Sequence, residues 1–127
     1  MNDENNQKLA LEFPGLFPYG VWCGDGWFDI VRDMAVEVTR IAQREGIQVR
    51  LTTVEQKYGS LRVVWDSDGQ PPDDIQAVID AARDHSAQRC EETGRPGTLC
   101  VNNQSGWYAT LAPDVAVAKG FQPADEP

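Results

Sequence analysis

From Trp27 to Ala42 the apolar residues Trp27, Ile30, Val31, Met34, Val38, Ile41 and Ala42 recur at helical spacing until Gly46 interrupts them, and immediately afterwards the period drops to two. Few folds accommodate that switch. The first run predicts an amphipathic helix over residues 26–45 with Asp25 as its N-cap and Gly46 as its stop. In the second, Val49, Leu51 and Thr53 fall on one face and Gln48, Arg50 and Thr52 on the other. Leu61, Val63 and Trp65 repeat the alternation beyond Lys57-Tyr58-Gly59, so the two runs read as antiparallel strands joined by a short Gly-containing turn.

The rest of the chain extends the same theme. Residues 66–72 form a turn rich in Asp, Gly and Pro, and behind them Ile75, Val78, Ile79, Ala82 and Ser86 share the face of a second helix that runs on to Gly94. Residues 97–102 and 106–111 read as a second hairpin about Asn103-Gln104-Ser105, followed by a short helix over residues 113–119. Residues 1–8 are polar and residues 122–127 lack periodicity, so both ends are expected to be flexible. Between them, residues 9–20 carry Pro14, Gly15, Pro18 and Gly20 among Leu11, Phe13, Leu16, Phe17 and Tyr19, an irregular apolar arm laid over the core. The expectation is a single α+β domain over residues 9–120 in the order α-β-β-α-β-β, two helices packed on antiparallel hairpins, with tails at 1–8 and 121–127. At 127 residues and 41% apolar content the chain is long enough to bury a core without disulfide staples.

Charge then narrows the partners. A formal net charge of -9, with Lys only at positions 8, 57 and 119 and no Lys/Arg cluster to neutralise a run of phosphates, opposes direct nucleic-acid binding and an anionic membrane. A protein with a basic surface suits such a field better. Neither a basic-then-apolar leader nor a membrane-length apolar run is present, and Cys23, Cys90 and Cys100 are odd in number and widely spaced. A cytoplasmic protein with reduced thiols is expected.

Cys90-Glu91-Glu92-Thr93-Gly94 has the outline of a zinc knuckle whose second thiol is replaced. Structural zinc takes four soft or imidazole ligands in two close pairs, and here Thr93 fills the second position while Cys100 and the sole His85 stand at the wrong spacing. Cys90 and Cys100 therefore read as small buried residues, no metal or cofactor is assigned, and a metal or redox module using Cys23, Cys90, Cys100 and His85 is kept as an alternative. Catalysis has little to stand on. Asp84 and Ser86 flank His85 on one helix, where adjacent side chains diverge. Asp66, Asp68, Asp73 and Asp74 lack the spacing of a calcium loop.

Four segments carry a resemblance. Cys23-Gly24-Asp25-Gly26-Trp27-Phe28, the stretch from Val54 to Arg62 with Lys57-Tyr58-Gly59-Ser60-Leu61-Arg62, Cys90 to Gly97, and Gly106-Trp107-Tyr108-Ala109-Thr110-Leu111 together resemble a family of small, functionally uncharacterised phage and bacterial proteins. The likeness spans residues 22–115. That family pairs Cys-x-x-Cys-Gly with a closing Gly-Trp-x-x-Thr-Leu-Cys-x-x-His, which implies a zinc corner; this chain has Thr93, Ala112 and Val115 where the pattern has Cys, Cys and His. The resemblance implies a shared fold and brings no activity with it.

Two surfaces are candidate contacts. At 100° per residue Asp73, Asp80, Asp84 and Glu91 fall in one stripe of the second helix opposite its apolar face, spread over roughly 27 Å. Like charges in one row repel, Asp80 and Asp84 most directly, and such a row would draw an Arg/Lys groove. Phe17, Tyr19 and Trp22 are the aromatic alternative, residue types that anchor interfaces. The sequence therefore predicts a non-enzymatic, acidic protein-binding inhibitor. The expected role is a phage- or prophage-encoded antagonist of a bacterial defence complex, anti-CRISPR-like, acting as a nucleic-acid mimic on a basic groove. The alternative within the same electrostatics is an immunity protein that neutralises a basic toxin.

Overall fold

The chain folds around α2 (Phe28–Glu45), whose buried residues Val31, Met34, Ala35, Val38, Ile41 and Ala42 form the stripe that the periodicity marks out. Gly46 ends it, its N–H bonding the Ala42 and Gln43 carbonyls. The computed structural model describes residues 1–124, and of the tail expected at residues 121–127 the last three lie outside them. The architecture is α+β, with four helices and two antiparallel sheets among the described residues.

The start of α2 differs from expectation. Asp25 does not cap it; a single 3-10 turn, Asp25–Trp27, leads in, and no side chain caps either helix start. Asp25 instead turns outward and accepts from the Asn2 N–H at 2.9 Å and the Asn5 amide at 3.0 Å. Those bonds hold α1 (Asp3–Glu12), a helix where a flexible tail and an irregular arm were expected. Its Asn2 side chain accepts from the Asn5 N–H at 2.8 Å, two acids occupy its first turn, and Arg32 of α2 grips Glu12 at its far end through two bonds of 3.0 and 2.6 Å. Only Leu9 of this helix is buried. Polar docking, invisible to a hydrophobic period, is what orders it.

The first hairpin pairs β1 (Val49–Lys57) with β2 (Ser60–Ser67). Lys57 and Ser60 close a two-residue turn in which Tyr58 and Gly59 have φ of +53° and +86°, the left-handed pair that matches strand twist. A register shift between Leu51 and Thr53 inserts one extra residue, so the buried positions are Val49, Leu51 and Val54 rather than Val49, Leu51 and Thr53. Beside β1, Trp22 adds a one-residue parallel bridge, its N–H donating to the Val54 carbonyl at 2.7 Å and its carbonyl accepting from the Gln56 N–H at 3.2 Å. The outer edge of that segment is closed by Asn6, whose side-chain amide accepts from the Val21 N–H at 2.7 Å and donates to its carbonyl at 3.1 Å.

The second long helix, α3 (Asp73–Ser86), packs Ile75, Ile79, Ala82 and Ser86 inward and stops eight residues before Gly94. Ser86 explains the stop. Its hydroxyl donates to the Arg83 carbonyl at 2.6 Å and accepts from the Leu61 N–H at 2.8 Å, so the last turn is tied to β2 instead of continuing. Residues 87–97 fold into tight turns in which the Cys90 N–H meets the Arg95 carbonyl at 2.7 Å and the Gly94 N–H meets the Cys90 carbonyl at 2.8 Å.

The second sheet places β3 (Thr98–Val101) between β4 (Tyr108–Leu111) and β5 (Gln122–Pro123), with α4 (Pro113–Lys119) crossing between the last two. Thus the hairpin and short helix stand as the sequence predicted, but residues 121–124 belong to the domain: Val101 pairs with Gln122, Cys100 with Pro123, and the Ala124 N–H reaches the Leu99 carbonyl. Two apolar clusters result. The larger joins Leu9, the arm residues Phe13, Leu16 and Phe17, and the inner faces of α2, β1, β2 and α3, while the smaller holds Cys90, Cys100, Ala109, Leu111, Ala112 and Ala116. No helix among the described residues is long and apolar enough to cross a membrane.

Candidate functional site

The acidic stripe is shorter than its sequence spacing implies. Asp73 and Asp84 are exposed on α3 and Asp80 is half-buried, accepting from the Gln76 amide at 2.9 Å with Arg83 3.9 Å away. Glu91 is off the helix altogether, because α3 ends at Ser86. It is a structural clamp instead: one carboxylate oxygen accepts from the Gly24 N–H at 3.1 Å, the other from the Gln56 amide at 3.0 Å, and its carbonyl accepts from the Gly26 N–H at 2.7 Å. What remains is a row of three carboxylates spanning roughly 16 Å.

The aromatic arm divides in the same way. Phe17 is 8% exposed and stacks edge-on against Phe13 with ring centroids 6.4 Å apart, so it belongs to the core and not to a contact surface. Tyr19 and Trp22 are 65% and 72% exposed. Trp22 is also held in place: its indole N–H donates to the Tyr19 carbonyl at 2.8 Å, and its backbone is pinned to β1. Beside them a cavity of about 450 Å³ opens between α1 and the arm, lined by Asn6, Gln7, Phe17, Val21 and Trp22.

A third aromatic group has no counterpart among the expected contacts. Tyr58, at the turn of the first hairpin, is 70% exposed, and Trp107, just before β4, is 68% exposed. Tyr58 meets Tyr108 edge-on at 6.2 Å, and the Lys57 ammonium lies 5.6 Å from the Tyr58 ring. Gln56 fixes the seam beneath them by donating to the Tyr108 carbonyl at 2.7 Å. The sequence signal was the two-residue Tyr58-Gly59 turn, which favours left-handed residues; Gly59 of that turn is buried and Tyr58 is the residue left outside.

The cysteine corner is packed. All three thiols are free and buried. Burial pushes the Cys23 thiol up to about 12, so it stays protonated at neutral pH. At Cys90 burial also pushes upward, but the Thr93 hydroxyl and the backbone N–H groups of Ala112, Thr93 and Glu92 more than offset it and bring the thiol below its ordinary value. Thr93 and Ala112 are therefore both at Cys90, and Val115 packs against the same cluster. Among the described residues no group of three or more His, Cys, Asp or Glu side chains is arranged to hold a metal ion, and His85 is exposed on α3, away from this corner.

Comparison with protein-family models, with curated proteins and with solved structures gives no match for this chain.

Proposed function

We propose that this chain is a non-enzymatic, acidic protein-binding inhibitor, a phage- or prophage-encoded antagonist of a bacterial defence complex that occupies a basic, nucleic-acid-binding surface. The observation that carries the reading is the Tyr19–Trp22 pair, two large exposed rings, of which Trp22 is held by its indole bond and by its backbone bridge to β1. A ring held in place before binding loses little freedom on association, and Trp and Tyr dominate interface energetics. A net charge of -9 and the remaining row of Asp73, Asp80 and Asp84 add long-range attraction to a basic partner and hasten encounter at low salt. The biological setting is suggested by the resemblance of residues 22–115 to a family of phage and bacterial proteins.

The test is phage plating on a host with an active defence system, with and without the protein. Plating is expected to recover with the wild-type chain, to be lost with Trp22→Ala combined with Tyr19→Ala, and to fall with Lys at positions 73, 80 and 84. Full inhibition by the charge-reversed protein would remove the groove-occupying mechanism. Rescue of cells from an adjacently encoded basic toxin, with plating unchanged, would replace defence antagonism by immunity.

A further inference from the structure

Arg44 near the end of α2 pairs with Asp74 at the start of α3 at 2.9 Å, so the two long helices run antiparallel, and between them lies an open groove of about 370 Å³. Its floor is apolar, from Ile30 and Met34 on one side and Val78, Ala81 and Ala82 on the other. One wall is acidic. Asp29, Asp33 and Glu37 stand at successive i,i+4 positions along α2, a ledge of about 12 Å. Neighbouring cations neutralise only part of it: Arg40 takes Glu37 and Arg32 is engaged with Glu12, but among the described residues neither Asp29 nor Asp33 has an ion-pair partner within 4 Å. Like charges at i,i+4 destabilise a helix, and a cation brought in from outside relieves them. His85 and Arg89 stand at the Asp29 end, and the Arg89 guanidinium is turned to the Gly94 carbonyl at 3.3 Å.

We infer that this groove receives about two turns of a basic amphipathic helix from the partner protein, its aliphatic residues at i, i+3 and i+4 on the Ile30–Met34–Val78 floor and its Arg or Lys flank along Asp29 and Asp33. The inference rests on the reading of this chain as an acidic protein binder and names the element of the partner that it grips. Apolar floor and one-sided charge together select this occupant. A nucleic acid would meet the same carboxylates with its phosphates and be repelled, and a second copy of this chain would bring like charge to like charge.

The test uses the full chain with methyl-labelled Ile, Met and Val and a panel of helical peptides that share Leu at i, i+4 and i+7 but carry Arg, Gln or Glu on the flank. The Arg peptide is expected to shift the Ile30, Met34 and Val78 methyl signals and to bind at least tenfold tighter than the Glu peptide. Ala81→Trp, which fills the groove from an exposed position, should abolish those shifts, and Asp29→Asn with Asp33→Asn should erase the preference for Arg. Equal binding of all three peptides, shifts confined to other methyls, no binding by any peptide, concentration-dependent shifts of the same methyls without peptide, or displacement by a single-stranded RNA would each overturn the groove assignment. The broader reading is tested separately: loss of phage protection on changing Tyr19 and Trp22, with Ala81→Trp still protective, leaves the inhibitor standing without the groove.

Discussion

The two apolar clusters of this protein solve the same problem by different means. The larger is built from volume: Trp27, Leu51, Ile41, Ile75 and Leu61 fill the space between α2, α3 and the first hairpin. The smaller contains one Leu, two Cys and three Ala, with Val115 and Phe121 part-buried against it, a smaller set of mostly small side chains. Backbone intimacy makes up the difference. The Gly26 and Glu91 main chains bond directly, Glu91 bonds onward to Thr110, and Trp27 joins the two regions by donating its indole N–H to the Arg89 carbonyl at 2.9 Å. A small cluster can thus be specified by close approach where a large one is specified by packing.

That contrast breaks first under cavity and crowding changes. Leu51→Ala should cost the whole molecule about 3–4 kcal/mol, since a fully buried Leu leaves a void in the large core; urea unfolding followed by tryptophan fluorescence and by circular dichroism should show both signals falling together. Gly26→Ala should cost on the order of 3 kcal/mol, because an added Cβ would stand 2.3 Å from the Cys90 carbonyl oxygen and 2.6 Å from the Gly94 nitrogen, both main-chain atoms. Its mark is local. Amide exchange at Gly94 and Gly97 should rise well before that of α2, and equal acceleration in both regions would remove the distinction drawn above.

Smaller changes sharpen the comparison. Gln56→Leu leaves the Tyr108 carbonyl unpaired and takes one of two donors from Glu91, an expected loss of about 1–2 kcal/mol read from the urea midpoint. The least effect belongs to Asp25. The Asn2 N–H, and after it the Asn5 amide, hold its carboxyl below the usual carboxylate range. A depressed carboxylate contributes stability above its unfolded value, near pH 4, and loses it as pH falls through the folded value. Because the group is almost fully solvated, Asp25→Asn should cost only a few tenths of a kcal/mol. Faster exchange in residues 3–12 at neutral pH, with the difference from wild type vanishing in acid, would register it.

How much of this was legible depends on which force sets each element. Burial leaves a period, and α2 and the first hairpin carry one, so they stand close to where the spacing put them. Hydrogen bonds between distant side chains leave none. The helix at residues 3–12 depends on Asp25 and Val21 reaching Asn2, Asn5 and Asn6 across the fold, and no window of the sequence contains both halves of those contacts. The extra residue between Leu51 and Thr53 moved Val54 inward against strict alternation, and Ser86 stopped α3 where its apolar pattern ran on. Of the expected contact residues, Asp73, Asp80, Asp84, Tyr19 and Trp22 reach the surface or its margin, while Phe17 and Glu91 were drawn into the structure by neighbours that only folding supplies.

Asn6 closes the outer edge of the short Val21–Trp22 segment with a single carboxamide. A side-chain amide has the donor and acceptor of one peptide unit, so it occupies the place of a neighbouring strand and then ends, presenting no second row of groups beyond itself. A ladder that terminates on a side chain gives another molecule nothing to extend. The same residue that docks the first helix therefore also closes this edge against a further strand.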